Sequence, residues 1–535
     1  MSFRYAVVFL PCFASQLAAA PLLWPLPGGR ELTSGYGERR SSHFHGGLDI
    51  RTQGNELECV AVDDGWVERV AVSPEGYGRA VYLRLSDGRT AVYAHLSRFA
   101  PKLESILREK QLEAGVCRVD FPLDSQAVTF RREETIAWSG CSGIGASHLH
   151  FELRRGAVQL DPFPDFEEND NRRPIISGLR IVEVSDENSD RFSQGREIRL
   201  LKGTGRDLLG QATLAEGAPF VLLLKAHDSL PYGQHRPWVR CVLWREQTKD
   251  TLAEVHREGI DLLAPTTLWA SVDYAAWRYE YEEWWRVHAG KVGDFTPFPA
   301  LRDKAEKLLL DVYDVAGNRA RIQLQLREGK EGVPHSQDAA AHSVSMSGQG
   351  LNGFELALDE KERAPHLEFL AGESSDEVHL SPEVGFYRRA TLSWTSPAGR
   401  LESGTYLYQK SGKSRRFLSA ESDASGTRLV AKISQTGTFG IGRDTTPPHL
   451  SLRVVGSEII FEAKDTETGM DSRTVRCRVD GRTAIAEYEP EEGGGRVWMP
   501  FELGDGEHEI VLQADDKVGN RAKLEKVVRI GRGQK

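Results

Sequence analysis

The chain has 535 residues with a formal net charge of −10, which argues against nucleic acid as a partner and against simple electrostatic adhesion to an anionic wall or membrane. Its length provides for several cores, and six cysteines at 12, 59, 117, 141, 241 and 477 show no repeating spacing, so no disulfide framework is implied. The first 20 residues carry Arg4, an apolar stretch from Ala6 to Phe13 and a small-residue end at Ala18, Ala19 and Ala20, the form of an export signal. The apolar run is too short for a permanent membrane span. Pro21 disfavours cleavage directly after Ala20, leaving both an earlier cut and a retained anchor open, and Phe9, Leu10 and Pro11 before Cys12 lack the small residues of a lipidation site. The expectation is an exported protein of the cell envelope, periplasmic or extracellular.

The next segment with chemical content reads HFHGGLDI over 43–50, setting His45 and Asp49 in an H-x-x-x-D relation across Gly46 and Gly47. The glycines let the backbone curl so that imidazole and carboxylate face one point. His43, six residues from Asp49, fits the ligand role less well and is taken as a bystander. YAHL follows at 93–96, then an insertion at 100–128 that reads as a wall of a groove, with an inhibitory cover over the site as the alternative, then ASHLHFELR at 146–154. That last stretch alternates apolar and polar residues as a strand does, so His148 and His150 project from one face. A histidine–aspartate pair and two histidines on a strand can supply three zinc ligands and one histidine beside the metal. Three protein ligands with an open fourth position are the pattern of a catalytic zinc site. No H-E-x-x-H occurs, so the glutamate base of that metalloprotease class is absent.

Taken in order over about 24–162, WPLPGG, SGYGERR, HGGLDI, AVDDGWVERV, GYGRAVYLRLSDGRTAVYAHLS and IAWSGCSGIGASHLHFELR resemble the lysostaphin and LytM-type zinc metallopeptidases, which cut peptide cross-links in bacterial cell walls. The resemblance implies that His45, Asp49 and His150 hold Zn2+, while His95 and His148 stand beside the metal-bound water and assist its attack. Which of the two is the base and which steadies the oxyanion is left open. The chain departs from the family pattern at Gly145, Ala146 and Ser147, where small-Gly-Pro is common, and at Cys141, where a polar residue is more usual. Both changes bear on substrate preference, and Cys141 reads as a small buried hydrophobe.

Beyond the peptidase region, 161–173 (DPFPDFEENDNRR) is polar and proline-bearing, as a linker is. Two later stretches, LLLDVYDVAGNRARIQL from Leu308 and EIVLQADDKVGNRAKLEKV from Glu509, share D-x-x-G-N-R-A, with Asp314 matching Asp516 and Asn318 matching Asn520. Each reads as a hairpin closed by a Gly-Asn turn and resembles the last hairpin of bacterial immunoglobulin-like modules. Between them, 331–445 opens with a low-complexity linker and continues as short alternating stretches; its His335, His342 and His366 lack ligand spacing. The aromatic run at 267–287, with Trp269, Tyr274, Trp277, Tyr279, Tyr281, Trp284 and Trp285, fits packing between modules better than stacking on sugar rings.

These readings give a mainly β chain: a signal at 1–20, a small antiparallel-sheet zinc peptidase domain at 21–165, immunoglobulin-like β-sandwiches at 175–330 and 446–535, and a linker and β-rich domain at 331–445. The expected activity is endopeptidase hydrolysis of peptidoglycan cross-links, with envelope proteins as possible partners of the C-terminal domains. The alternative is a non-hydrolytic regulator that activates another wall hydrolase.

Overall fold

The computed structural model describes residues 21–530 except 41–42, 126, 144–145, 167–169, 185–194, 230–234, 237, 258–261, 264–270, 274–281, 288–295, 330–350 and 360–366. The export signal, the low-complexity linker, His335, His342, His366 and most of the aromatic run thus lie outside the described residues. What is described is mainly β, and among those residues no helix is long and apolar enough to cross a membrane.

The N-terminal region contains β1 (Leu32–Ser34), β2 (Leu48–Arg51), β3 (Glu58–Val60), β4 (Gly65–Val72), β5 (Arg79–Leu85), β6 (Thr90–Ala94), β7 (Leu96–Phe99), α1 (Pro101–Ala114), β8 (Val119–Pro122), β9 (Thr129–Phe130), β10 (Thr135–Ser139), β11 (His148–Arg155) and β12 (Val158–Leu160). The main sheet runs β1-β2-β11-β6-β5-β4-β8, with β12 and β9 at its margins, and a smaller sheet runs β3-β10-β7. All of these pairings are antiparallel.

β11 alternates as its sequence predicts. Leu149, Phe151 and Leu153 are fully buried in the apolar core, each stabilising the fold by about 1.5–3 kcal/mol, and His148, His150 and Glu152 take the opposite face. The register decides what meets them: His150 lies opposite Asp49 on β2 and opposite Ala94 on β6. Central placement of one strand therefore brings the three histidine-bearing segments together.

Two expectations need correction. The stretch taken as a linker packs in part against the core, with Phe166 edge-on to Trp24 at 4.9 Å and Asp165 paired to Arg89 at 2.7 Å, because its two phenylalanines have apolar surface to bury. The insertion at 100–128 contains α1, whose Leu103 and Leu107 enter the core; its Arg108 meets the last sheet of the chain rather than walling a groove.

Residues 175–329 form a five-stranded and a six-stranded sheet, in which Leu208–Ala215 runs parallel to Arg319–Gly329. Their apolar core is continuous with that of the N-terminal region. Phe44, between His43 and His45, stacks on Trp285 at 5.0 Å and donates its backbone N–H to the Leu262 carbonyl. Trp284 and Trp285 are both buried, as packing requires. A six-stranded sheet at 354–443 and a seven-stranded one at 449–530 follow. The two D-x-x-G-N turns fold alike: the backbone N–H groups of Asn318 and Asn520 donate to Oδ1 of Asp314 and Asp516, and Gly317 and Gly519 sit at φ 85° and 92°.

Candidate metal centre

His45 and Asp49 lie on either side of the entry to β2, and His150 is in mid-β11. One donor atom from each falls within 4.8 Å of the other two. His45 Nε2 is 3.0 Å from Asp49 Oδ1 and 3.0 Å from His150 Nδ1, and His150 Nδ1 is 2.8 Å from Asp49 Oδ1. All three residues are buried. Gly46 and Gly47 serve this approach through their lack of a side chain, since neither has positive φ. A Cβ on Gly47 would stand 2.2 Å from the Phe151 carbonyl oxygen, and one on Gly46 would stand 3.0 Å from Glu152 Oε1.

The outer contacts fix which nitrogen of each ring faces inward. His45 Nδ1 lies 2.7 Å from the Gly35 carbonyl oxygen, which can only accept, so Nδ1 carries the hydrogen and Nε2 presents a lone pair. His150 is turned the other way: Nε2 lies 2.8 Å from Glu152 Oε1 and donates to it, leaving Nδ1 inward. Asp49 Oδ2 accepts from Arg40 at 2.8 Å, leaving Oδ1 as the inward oxygen. Three lone-pair donors converge in a buried space, an arrangement that repels itself unless a cation sits among them. Two imidazoles and a carboxylate, with the outer nitrogens tied to a carbonyl and a carboxylate, fit zinc in both donor type and supporting contacts.

The protonation tendencies express the same crowding. Burial opposes the charge on His150, but hydrogen bonds to Asp49 and Glu152 outweigh it and lift its pKa to about 9. Burial likewise opposes ionisation of Asp49, and the hydrogen bonds from His148, His150 and His45 reverse that and hold the carboxyl far below its usual range.

Glu152, which sequence reasoning passed over, is fully buried behind this centre. It accepts from His150, from Tyr77 Oη at 2.5 Å and from Arg154 Nε at 2.5 Å, and Arg154 Nη2 also donates to Tyr77 Oη at 2.9 Å. Its signal was in the sequence: it stands two residues beyond His150, on the same strand face. Arg40 and Tyr77 had no such periodicity to mark them.

His95 and His148 stand beside the cluster with ring centroids 4.6 Å apart. His95 occupies the break between β6 and β7 with φ 58°, a left-handed conformation uncommon for a residue with a side chain. Its Nδ1 donates to the Ser142 carbonyl at 2.9 Å, while His148 Nδ1 donates to the Ala146 carbonyl at 2.6 Å. Both rings therefore keep Nε2 free of a hydrogen when neutral; that of His148 is 3.4 Å from Asp49 Oδ1. Burial, then the positive charges of His150 and His148, push His95 down to about 4, so it is neutral at physiological pH. His43 is not among the converging donors. Cys141, expected to be buried, is exposed, because the loop leaving β10 turns outward once Gly140 has passed close to Ser97.

No family model matches the chain, and no curated protein does. Among solved structures, it is similar to a zinc-containing peptidase from Vibrio cholerae, at 20% identity and a TM-score of 0.21 over 28% of this chain and 40% of that one. It is also similar to the catalytic domain of a prophage-encoded M23 protein from Enterococcus faecalis, at 22% identity and a TM-score of 0.20 over 27% of this chain and 96% of that one. A third likeness is to the catalytic domain of the antimicrobial peptidase lysostaphin from Staphylococcus simulans, at 22% identity and a TM-score of 0.19 over 25% and 90%. The chain thus spans about two fifths of the length of the first of these. What its own site can do follows from its own side chains.

Proposed function

We propose that this protein is an exported zinc-dependent endopeptidase that hydrolyses the peptide cross-links of bacterial peptidoglycan, with its catalytic domain at 21–165 and the later β-domains setting reach or partner contact. The observation that carries the reading is the opposed orientation of two buried rings, His45 with Nε2 inward and His150 with Nδ1 inward, converging with Asp49 Oδ1. Those three residues would hold zinc, which when bound supplies Lewis-acid polarisation of a carbonyl and activation of water.

The remaining chemistry belongs to His95 and His148. Each is anchored through Nδ1, so each offers Nε2 as a proton acceptor, or as a donor once protonated. With His95 neutral at physiological pH, one ring can take a proton while the other stabilises the developing oxyanion or returns a proton to the leaving amine. Burial of Glu152 and its three partners keeps His150 from rotating away from the centre.

The test is digestion of purified wall sacculi by the 21–535 protein, with mass spectrometry of the released fragments. Loss of cross-linked dimers and gain of monomers, absent in His148→Ala and after chelation, is the expected result. Zinc-loaded protein that binds walls yet releases nothing would overturn hydrolysis in favour of a regulatory role.

A further inference from the structure

The last sheet of the chain comes back to the catalytic loop. Glu487, on the strand Arg482–Glu489, accepts from Arg79 Nη2 at 2.8 Å, across 408 residues of sequence, and from Arg108 Nη1 of α1 at 2.7 Å. Arg108 also lies over the ring of Trp498 at 4.6 Å. Glu104 pairs with both arginines, at 3.2 Å and 3.0 Å, so two cations and two carboxylates form a closed network across the contact. The Arg79, Arg108, Glu104 and Glu487 side chains are largely withdrawn from solvent, at 11%, 16%, 24% and 27% exposure, so the network keeps more of its strength than an exposed pair would.

The network continues inward. The Arg79 backbone N–H donates to Ser142 Oγ at 2.8 Å, and Ser142 Oγ donates to the Leu96 carbonyl at 2.7 Å. The Ser142 carbonyl in turn accepts from His95 Nδ1. A second contact arrives one residue further on, where the Gly143 N–H faces the Glu489 carboxylate and favours its ionised form. The loop has little room to shift: a Cβ on Gly143 would stand 2.4 Å from the Gly76 oxygen, and one on Gly78 would stand 2.2 Å from the Ser142 oxygen.

We infer that Glu487 and Glu489 of the C-terminal sheet are positioning residues for the catalytic histidine His95, holding Ser142 and Gly143 through Arg79 and the Gly143 N–H so that the Ser142 carbonyl fixes the His95 ring. The C-terminal sheet is then part of the working site. This rests on the proposed hydrolytic reading only for its consequence on turnover, not for the docking itself.

The experiment compares the full-length wild type with Glu487→Ala/Glu489→Ala and with Glu489→Gln, which keeps an acceptor for Gly143. Readouts are hydrogen exchange of the 140–147 peptide, zinc content, and kcat and KM on a soluble cross-linked wall peptide, with circular dichroism to verify folding. In the double variant, exchange in the loop rises about tenfold or more and kcat falls with zinc content unchanged; Glu489→Gln stays near wild type in exchange and kcat. Unchanged loop exchange in the folded double variant overturns the inference. A Glu489→Gln protein as loose as the double variant also overturns it, since the acceptor would then be irrelevant. If the wild type turns over no wall peptide while the loop difference persists, the hydrolytic reading fails and the docking stands.

Discussion

Among the described residues three clusters bring three metal-capable side chains together, and two of them differ most usefully: His45, Asp49 and His150 at the N-terminal sheet, and Asp444, Asp465 and Asp516 beneath the last hairpin, the remaining one being Asp170, Asp228 and Asp314. They differ in what the donor atoms already do. In the first, every outer atom is tied to a carbonyl, a carboxylate or a guanidinium, and every inner lone pair points at the same space. In the second, the oxygens are used by the chain itself. Asp444 accepts from Thr446 N and Thr468 Oγ1, Asp465 from the amides of Glu467, Thr468 and Gly469, and Asp516 from Val518 N, Asn520 N and Asn520 Nδ2. Burial, opposed by these hydrogen bonds and reinforced by the charge of Asp444, leaves Asp516 with a raised pKa. Proximity of ligand types does not make a metal centre; the direction of the unused lone pairs does.

The sharpest way to break this comparison is to remove one donor from each cluster. His150→Ala or Asp49→Ala is expected to lose zinc on purification, a weakening greater than the roughly 10–100-fold typical of supporting residues. Asp516→Asn should retain the wild-type zinc content. Elemental analysis of the purified proteins decides, and equal zinc loss in all three would abolish the distinction. Next in size is Glu152→Gln. The amide can still accept from His150 but has no charge to hold Arg154, and the expected weakening of zinc binding is about 10–100-fold, read by competition with a chelator of known affinity.

Gly47→Ala tests the close approach instead of the ligands. With the Phe151 oxygen 2.2 Å from the new Cβ, β2 and β11 must separate, at a cost of about 1–3 kcal/mol and with loss of zinc. A melting temperature equal to the wild type's would show that the strands adjust freely. On the other side of the comparison, Asn520→Ala removes hydrogen bonds to the Asp444 carbonyl at 3.1 Å and to Asp516 Oδ2 at 2.7 Å. Denaturant unfolding should report a loss of about 1–3 kcal/mol with zinc content intact.

What was legible in the sequence was whatever a short-range pattern encodes. The period of two in HLHFELR places His148 and His150 on one face, and the D-x-x-G-N turns follow from local hydrogen bonding and a positive φ at glycine. Antiparallel register then places Asp49 opposite His150, a contact between motifs about 100 residues apart that no pattern within either one encodes. The same period of two already marked Glu152, which was overlooked because it lies outside the histidine pair. The Arg79–Glu487 contact had no sequence signal, since two surfaces 408 residues apart meet through tertiary shape. The exposure of Cys141 escaped notice for a related reason: whether a loop turns outward depends on what packs beneath it.

The smallest expected effect concerns Glu489, where the last sheet meets the loop. Burial, then the neighbouring charge of Glu492, raises its pKa to about 7; Glu487 adds to this, while Arg79 and the Gly143 amide oppose it. A carboxyl whose folded pKa lies above its unfolded value binds a proton preferentially in the folded state. Its stabilising contribution is therefore fully present below the unfolded pKa, near 4.5, and is lost as pH rises through about 7. Glu489→Gln removes this titration, so between pH 6 and pH 8 the wild type should lose more thermal stability than the variant. Partial exposure screens the charges, so the difference in melting-temperature change should be only about 1–2 °C, and it should shrink in high salt as the repulsion from Glu487 and Glu492 is damped. Identical pH slopes for the two proteins would mean that Glu489 faces solvent rather than Gly143, removing one of the two contacts by which the C-terminal sheet reaches His95.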